Sequence, residues 1–83
     1  MNTEFVGMSE FKRLIVSAGI KEITLLFRDN LWHLVAFNFE RQTAFMLKER
    51  RGKEVAKTWT RIDRAVNFLI EMEVNKFTVV ISK

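Results

Sequence analysis

The chain has no cysteine and no proline, and it has only three glycines and one histidine in 83 residues. Without cysteine there is neither a disulfide nor a thiolate metal site, which fits a reducing compartment and makes a cytoplasmic location the expectation. With no proline and no low-complexity or linker-like stretch, no internal boundary is visible, so residues 1–83 read as a single small domain. Gly7, Gly19 and Gly52 stand alone, so no phosphate-cradling loop is present. No apolar run is long enough to cross a bilayer, and the opening MNTEFVGMSEFKR lacks the basic-then-apolar order of a signal peptide. No membrane partner is expected.

The same scarcities bear on catalysis. A nucleophilic site needs a nucleophile within reach of a base, and this chain has one histidine, His33, and no thiol. The carboxylates show no metal-ligand spacing. Glu71 and Glu73 are two apart in a predicted helix and point to different faces. The expectation is a protein that is not an enzyme, with no catalytic residue, no metal and no cofactor. His33 reads as a strand histidine at a sheet surface or an interface.

What is present is grease and localised charge. Apolar residues make up 48% of the chain, eight of them phenylalanine, and charged residues a further 29%. That balance describes a globular chain rather than a disordered one. A chain this short buries only about 60–65% of the surface it exposes when unfolded, so its core is thin. The stretch KERRGKEVAKTWTRIDR, residues 48–64, holds seven basic and three acidic residues, a net charge of +4. The whole chain also carries +4, so everything outside this stretch sums to zero.

Periodicity gives the elements. Ser9 predicts an N-cap for a helix over residues 9–18, with Phe11, Leu14, Ile15 and Ala18 as one apolar stripe and Gly19 as its stop. Residues 1–8 are ambiguous. Ile20 to Phe39 predicts a β-hairpin about Asp29-Asn30, residues that tolerate the positive φ of a type I′ loop. That loop pairs Phe27 with Trp32, Leu25 with Leu34 and Ile23 with Ala36, on one face directed at the helices. The other face carries Leu26, Leu31, His33, Val35, Phe37 and Phe39 beside Glu22, Thr24 and Arg28. A one-sided sheet should be polar there, so this face predicts an interface, with Leu26, Val35, Phe37 and Phe39 as its residues.

Asn38 to Gln42 predicts a turn and Thr43 to Lys48 a third antiparallel strand. Arg51-Gly52 predicts another turn, and Glu54 to Trp59 reads equally as a short strand or a loop. Thr60, with Asp63 three residues on, predicts the capped start of a second helix whose inner stripe is Ile62, Ala65, Val66 and Leu69, widened by Phe68 and Met72. Asn75 is the expected stop. Residues 76–82 predict a strand that pairs inside the sheet or across a dimer axis. Trp32 and Trp59 read as core. The predicted fold is α+β: helix, three- to four-stranded antiparallel meander, helix, C-terminal strand. The order of the first five elements resembles that of double-stranded-RNA-binding domains, without that family's loop residues.

The basic stretch has two readings. One is a solvated loop that aids solubility. The other is phosphate contact by Arg50, Arg51, Lys53, Lys57, Arg61 and Arg64, salt-dependent through counterion release. Arg61 and Arg64 oppose the dipole of the helix they begin, so helix stability does not explain them.

LKERRG, then KEVAKTW, then TRIDRAVNFLIEMEVNKFTVVIS, together with the earlier LIVSAGIKEITLLFRD, resembles the small plasmid-borne ParC-type partition-associated proteins of plasmids and integrative conjugative elements. These are unrelated to the topoisomerase subunit of the same name. The likeness runs over about residues 9–82. It implies a small non-enzymatic accessory protein of plasmid maintenance or partition, acting through DNA or a partition protein. The expected partners are DNA and, from the apolar sheet face, a second copy in a homodimer. The alternative is a homodimeric protein-interaction module, a regulator or host-factor antagonist, working through the apolar sheet face.

Overall fold

The computed structural model describes residues 2–17, 20, 22–49 and 55–82. The elements run β1 (Asn2–Val6), α1 (Met8–Val16), β2 (Glu22–Arg28), β3 (Leu31–Asn38), β4 (Thr43–Leu47), β5 (Thr58–Trp59), α2 (Ile62–Glu71) and β6 (Thr78–Ile81). The class is α+β.

The hairpin forms as its turn chemistry dictates. Asp29 and Asn30 sit at φ 55° and 62°, the left-handed pair that a type I′ loop requires. β2 and β3 pair with Phe27 opposite Trp32, Leu25 opposite Leu34 and Ile23 opposite Ala36. A one-residue slip would turn every one of these side chains to the other face, so the alternation and the loop enforce the same register. β4 continues the meander antiparallel to β3. Thr43, buried at the start of β4, satisfies its hydroxyl by donating to the Arg41 carbonyl at 2.9 Å.

The sheet is mixed, which corrects the all-antiparallel expectation. Strand order is β1-β4-β3-β2-β6, with β1 parallel to β4 and β6 parallel to β2. Residues 2–6 had no assigned element, and here they form an edge strand. β6 pairs within the same chain. β5 pairs with β3 beyond the point where β4 leaves it: Trp59 stands opposite Trp32 and Thr58 opposite His33. Between β4 and β5, Lys48 and Ala56 form an isolated antiparallel bridge, with Glu49 N–H donating to the Val55 carbonyl and Lys57 N–H to the Leu47 carbonyl, both at 2.7 Å. The Arg51-Gly52 turn falls outside the described residues.

Both helices lie on one face. Phe11 and Leu14 of α1, and Ala65 and Leu69 of α2, share one core with Ile23, Leu25, Leu34, Ala36, Phe45 and Leu47. Trp59 packs at the core margin with its ring centroid 5.4 Å from that of Phe68. The helix termini differ from expectation. Val6 accepts from the Lys48 N–H at 2.8 Å, so the chain stays in the sheet up to Gly7, and the helix must start there. Gly7 is the N-cap, and Ser9 lies inside α1. Similarly Trp59 is held in β5, Arg61 is still extended, and α2 begins at Ile62 with Arg61 rather than Thr60 as N-cap. Ile62, expected on the inner stripe, is exposed. The stop is Glu73 at φ 61°, not Asn75. Glu73 N–H donates to the Ile70 carbonyl and Val74 N–H to the Leu69 carbonyl, both at 3.0 Å, the paired bonds of a Schellman closure. Gly19, the expected stop of α1, and Ala18 lie outside the described residues.

Candidate functional site

Two surfaces stand out, and the first is the sheet face opposite the helices. In a strand, side chains alternate sides, so the residues between the core positions form that second face. Leu26, His33, Val35 and Phe37 are there, as the hairpin predicts, and they line a hollow of about 470 Å³. The rest of its lining is Thr3 and Phe5 of β1, Ala44 and Met46 of β4, Ala56 of the bridge to Lys48, and Arg28 and Asp29 at the hairpin end. Phe39 lies one residue beyond β3 and is 60% exposed. Its ring stacks on Phe37 with centroids 5.7 Å apart and planes 5° from parallel, so it extends the same patch. Val35, at 7% exposed, is the buried centre. Among the described residues no helix covers this face.

Phe5 and Met46 belong to this surface and were not among its predicted residues. Phe5 could not be found from the hairpin pattern, because its place depends on β1 pairing in parallel with β4, where Phe5 sits opposite Met46. The alternation within Thr43–Leu47 would have found Met46 once Phe45 and Leu47 were assigned inward. His33 Nε2 is buried with no hydrogen-bond partner among the described residues. A buried ring nitrogen without a partner costs free energy that an apolar residue at the same position would not.

The second surface is basic. Lys57, Arg61 and Arg64 line one shallow hollow with Trp59, Asn67, Phe68, Asp63 and Glu71. These predicted cations are therefore gathered on one surface rather than dispersed. They are partly engaged. Arg61 donates through Nε and Nη2 to both carboxylate oxygens of Asp63, at 3.0 and 2.9 Å. Lys57 Nζ lies 5.5 Å from the centroid of the Trp59 ring. Asp63 occupies the first turn of α2, where a negative charge offsets the helix dipole. The demand for an anion at that terminus is thus met by the chain itself. Arg64 has no such bidentate partner among the described residues. Arg50, Arg51 and Lys53, the rest of the predicted phosphate-binding set, lie outside the described residues.

No group of three or more His, Cys, Asp or Glu side chains that could hold a metal ion occurs among the described residues, and no described helix is long and apolar enough to cross a membrane. The chain matches no protein-family model, no curated protein and no solved structure.

Proposed function

We propose that this protein is a non-enzymatic interaction module that works as a homodimer, with the open face of its sheet as the contact surface. The observation that carries this reading is the apolar hollow around Leu26, Val35, Phe37 and Met46, opposite the face that the helices cover. Contiguous apolar patches on a soluble surface mark contact sites. The charges at its rim favour a second copy as the occupant. On β2, Glu22 and Arg28 end the open face at opposite ends of one strand, both exposed, with Thr24 and Leu26 between them. A two-fold axis lying between two facing sheets and perpendicular to the strands sets Glu22 of each copy over Arg28 of the other. Sheets packed this way stand about 10 Å apart, within reach of those side chains at the rim. Sedimentation tests the reading. The wild-type chain should sediment above its monomer mass, and Leu26→Glu with Phe37→Glu should lower that mass while far-UV circular dichroism stays native. A monomeric wild type, or a mass indifferent to the double substitution, removes the reading.

A second reading, a DNA-binding accessory protein of plasmid maintenance or partition, is favoured by the clustering of Lys57, Arg61 and Arg64 beside Trp59. The Asp63 carboxylate holding Arg61 argues for weak, salt-sensitive contact rather than a built phosphate site. In a fluorescence anisotropy titration at low salt, Asp63→Ala should tighten binding to duplex DNA and Arg64→Ala should weaken it. Absence of binding at low salt ends this reading.

A further inference from the structure

The two edges of the sheet are built differently. β1 carries Asn2, Thr3 and Glu4, and a charged edge residue discourages another strand from adding to it. β6 is Thr78-Val79-Val80-Ile81, with no charge, no proline and no bulge, and all its residues are exposed. Val79, Val80 and Ile81 are 45, 43 and 64% exposed. An edge strand presents a row of unpaired N–H and C=O groups, and without a charge, a proline or a bulge it remains a template for further pairing.

The backbone defines which groups have no partner among the described residues. The Ser82 N–H donates to the Phe27 carbonyl of β2 at 2.9 Å, so Ser82 turns its backbone inward. Backbone direction alternates along a strand. Val80 and Thr78 therefore also turn inward to β2, and the amides and carbonyls of Val79 and Ile81 point out of the sheet. Side chains alternate as well. Val79 and Ile81 are in register with Leu25 and Phe27 on the helix-covered side, and Val80 with Leu26 on the open side.

We infer that the outer edge of β6 pairs antiparallel with β6 of a second copy, about a two-fold axis normal to the sheet at Val80. In this register Val79 of one copy faces Ile81 of the other, and each exchanges both outward hydrogen bonds with its partner. Val80 faces Val80 across the axis as a pair without hydrogen bonds, and Thr78 faces Ser82. Aliphatic residues meet aliphatic residues and hydroxyls meet hydroxyls on the correct sides of the sheet. Centring the axis between residues 79 and 80 would oppose side chains from different faces, so that register is excluded. The occupant is a second copy because the strand is complementary to itself in this register. The contact is independent of the open face, and both open faces end up on the same side of one continuous sheet. It is a small contact, in the size range of weak and transient ones.

The absence of cysteine provides the test. Val80→Cys introduces the only thiol, at the position where two copies approach most closely. It is made in the Leu26→Glu, Phe37→Glu background, so that open-face association cannot bring the thiols together. Mild oxidation should link Val80→Cys chains into a disulfide dimer at a rate at least about tenfold above Val79→Cys, whose self-pair lies off the axis. Adding Val79→Pro removes an outward N–H and leaves the inward bonds of Thr78, Val80 and Ser82 to β2 in place. It should slow Val80→Cys linkage at least about tenfold with circular dichroism unchanged. Equal linkage of the two cysteine variants, or linkage unaffected by the proline, overturns the edge pairing. Neither result touches the open-face reading, which is decided by the mass of the cysteine-free chains.

Discussion

The two faces of this one sheet are made from the same strands yet have opposite fates. On the covered face, Ile23, Leu25, Leu34 and Phe45 are sealed by α1 and α2. On the other, Leu26, Val35, Phe37 and Met46 are nearly as apolar but form an open hollow. Stability of a single chain needs only the first. On the second, Val35 is buried while Leu26, Phe37 and Met46 are left half-buried around it, and contiguous apolar surface of this kind is kept where contact is made. On the proposed reading, the difference separates residues that hold the fold from residues available for association.

Substitutions can break that contrast from either side. Phe11, fully buried under the covered face, should be the most costly to truncate. Phe11→Ala should remove about 3–5 kcal/mol in urea unfolding, a large fraction of the stability of a domain this size. Phe37→Ala, on the open face, should change monomer stability by less than about 1 kcal/mol and instead shift the association equilibrium in sedimentation. Equal effects on folding would mean the two faces are not functionally distinct.

A charge swap sharpens the open side. Glu22→Arg should weaken self-association by about three- to tenfold, through like charge against Arg28 of the second copy. Glu22→Arg with Arg28→Glu should restore it to within about threefold of wild type. A double variant no better than the single one excludes the two-fold arrangement given above. The smallest effect lies away from both faces. Glu73 holds a left-handed conformation at φ 61° in the α2 stop, so Glu73→Gly should stabilise the chain by up to about 1 kcal/mol in thermal unfolding, without altering association.

Legibility from sequence followed the range of the interactions. The hairpin was readable to the residue pair because Asp29-Asn30 and the alternation on either side act within a few positions of one another. The helical stripes of Phe11, Leu14, Ala65 and Leu69 were readable for the same reason, since a helix face repeats locally. The caps at Ser9 and Thr60 were misplaced because each helix start is set by the strand before it, held by partners far along the chain. The likeness of the basic stretch to a phosphate-binding surface counted Arg61 as free, and its bidentate hold on Asp63 depends on rotamers that spacing does not reveal.

The sequence by itself determined the α+β class, the β2–β3 register and the existence of a second apolar face, because periodicity and turn chemistry are local. Only the tertiary structure decided that residues 2–6 and 78–81 become parallel edge strands, and with them which edge is guarded by Glu4 and which is left bare. Parallel pairing joins segments far apart in the chain, and its hydrogen bonds come from the backbone, whose chemistry is the same at every residue. No side-chain pattern announces it in advance.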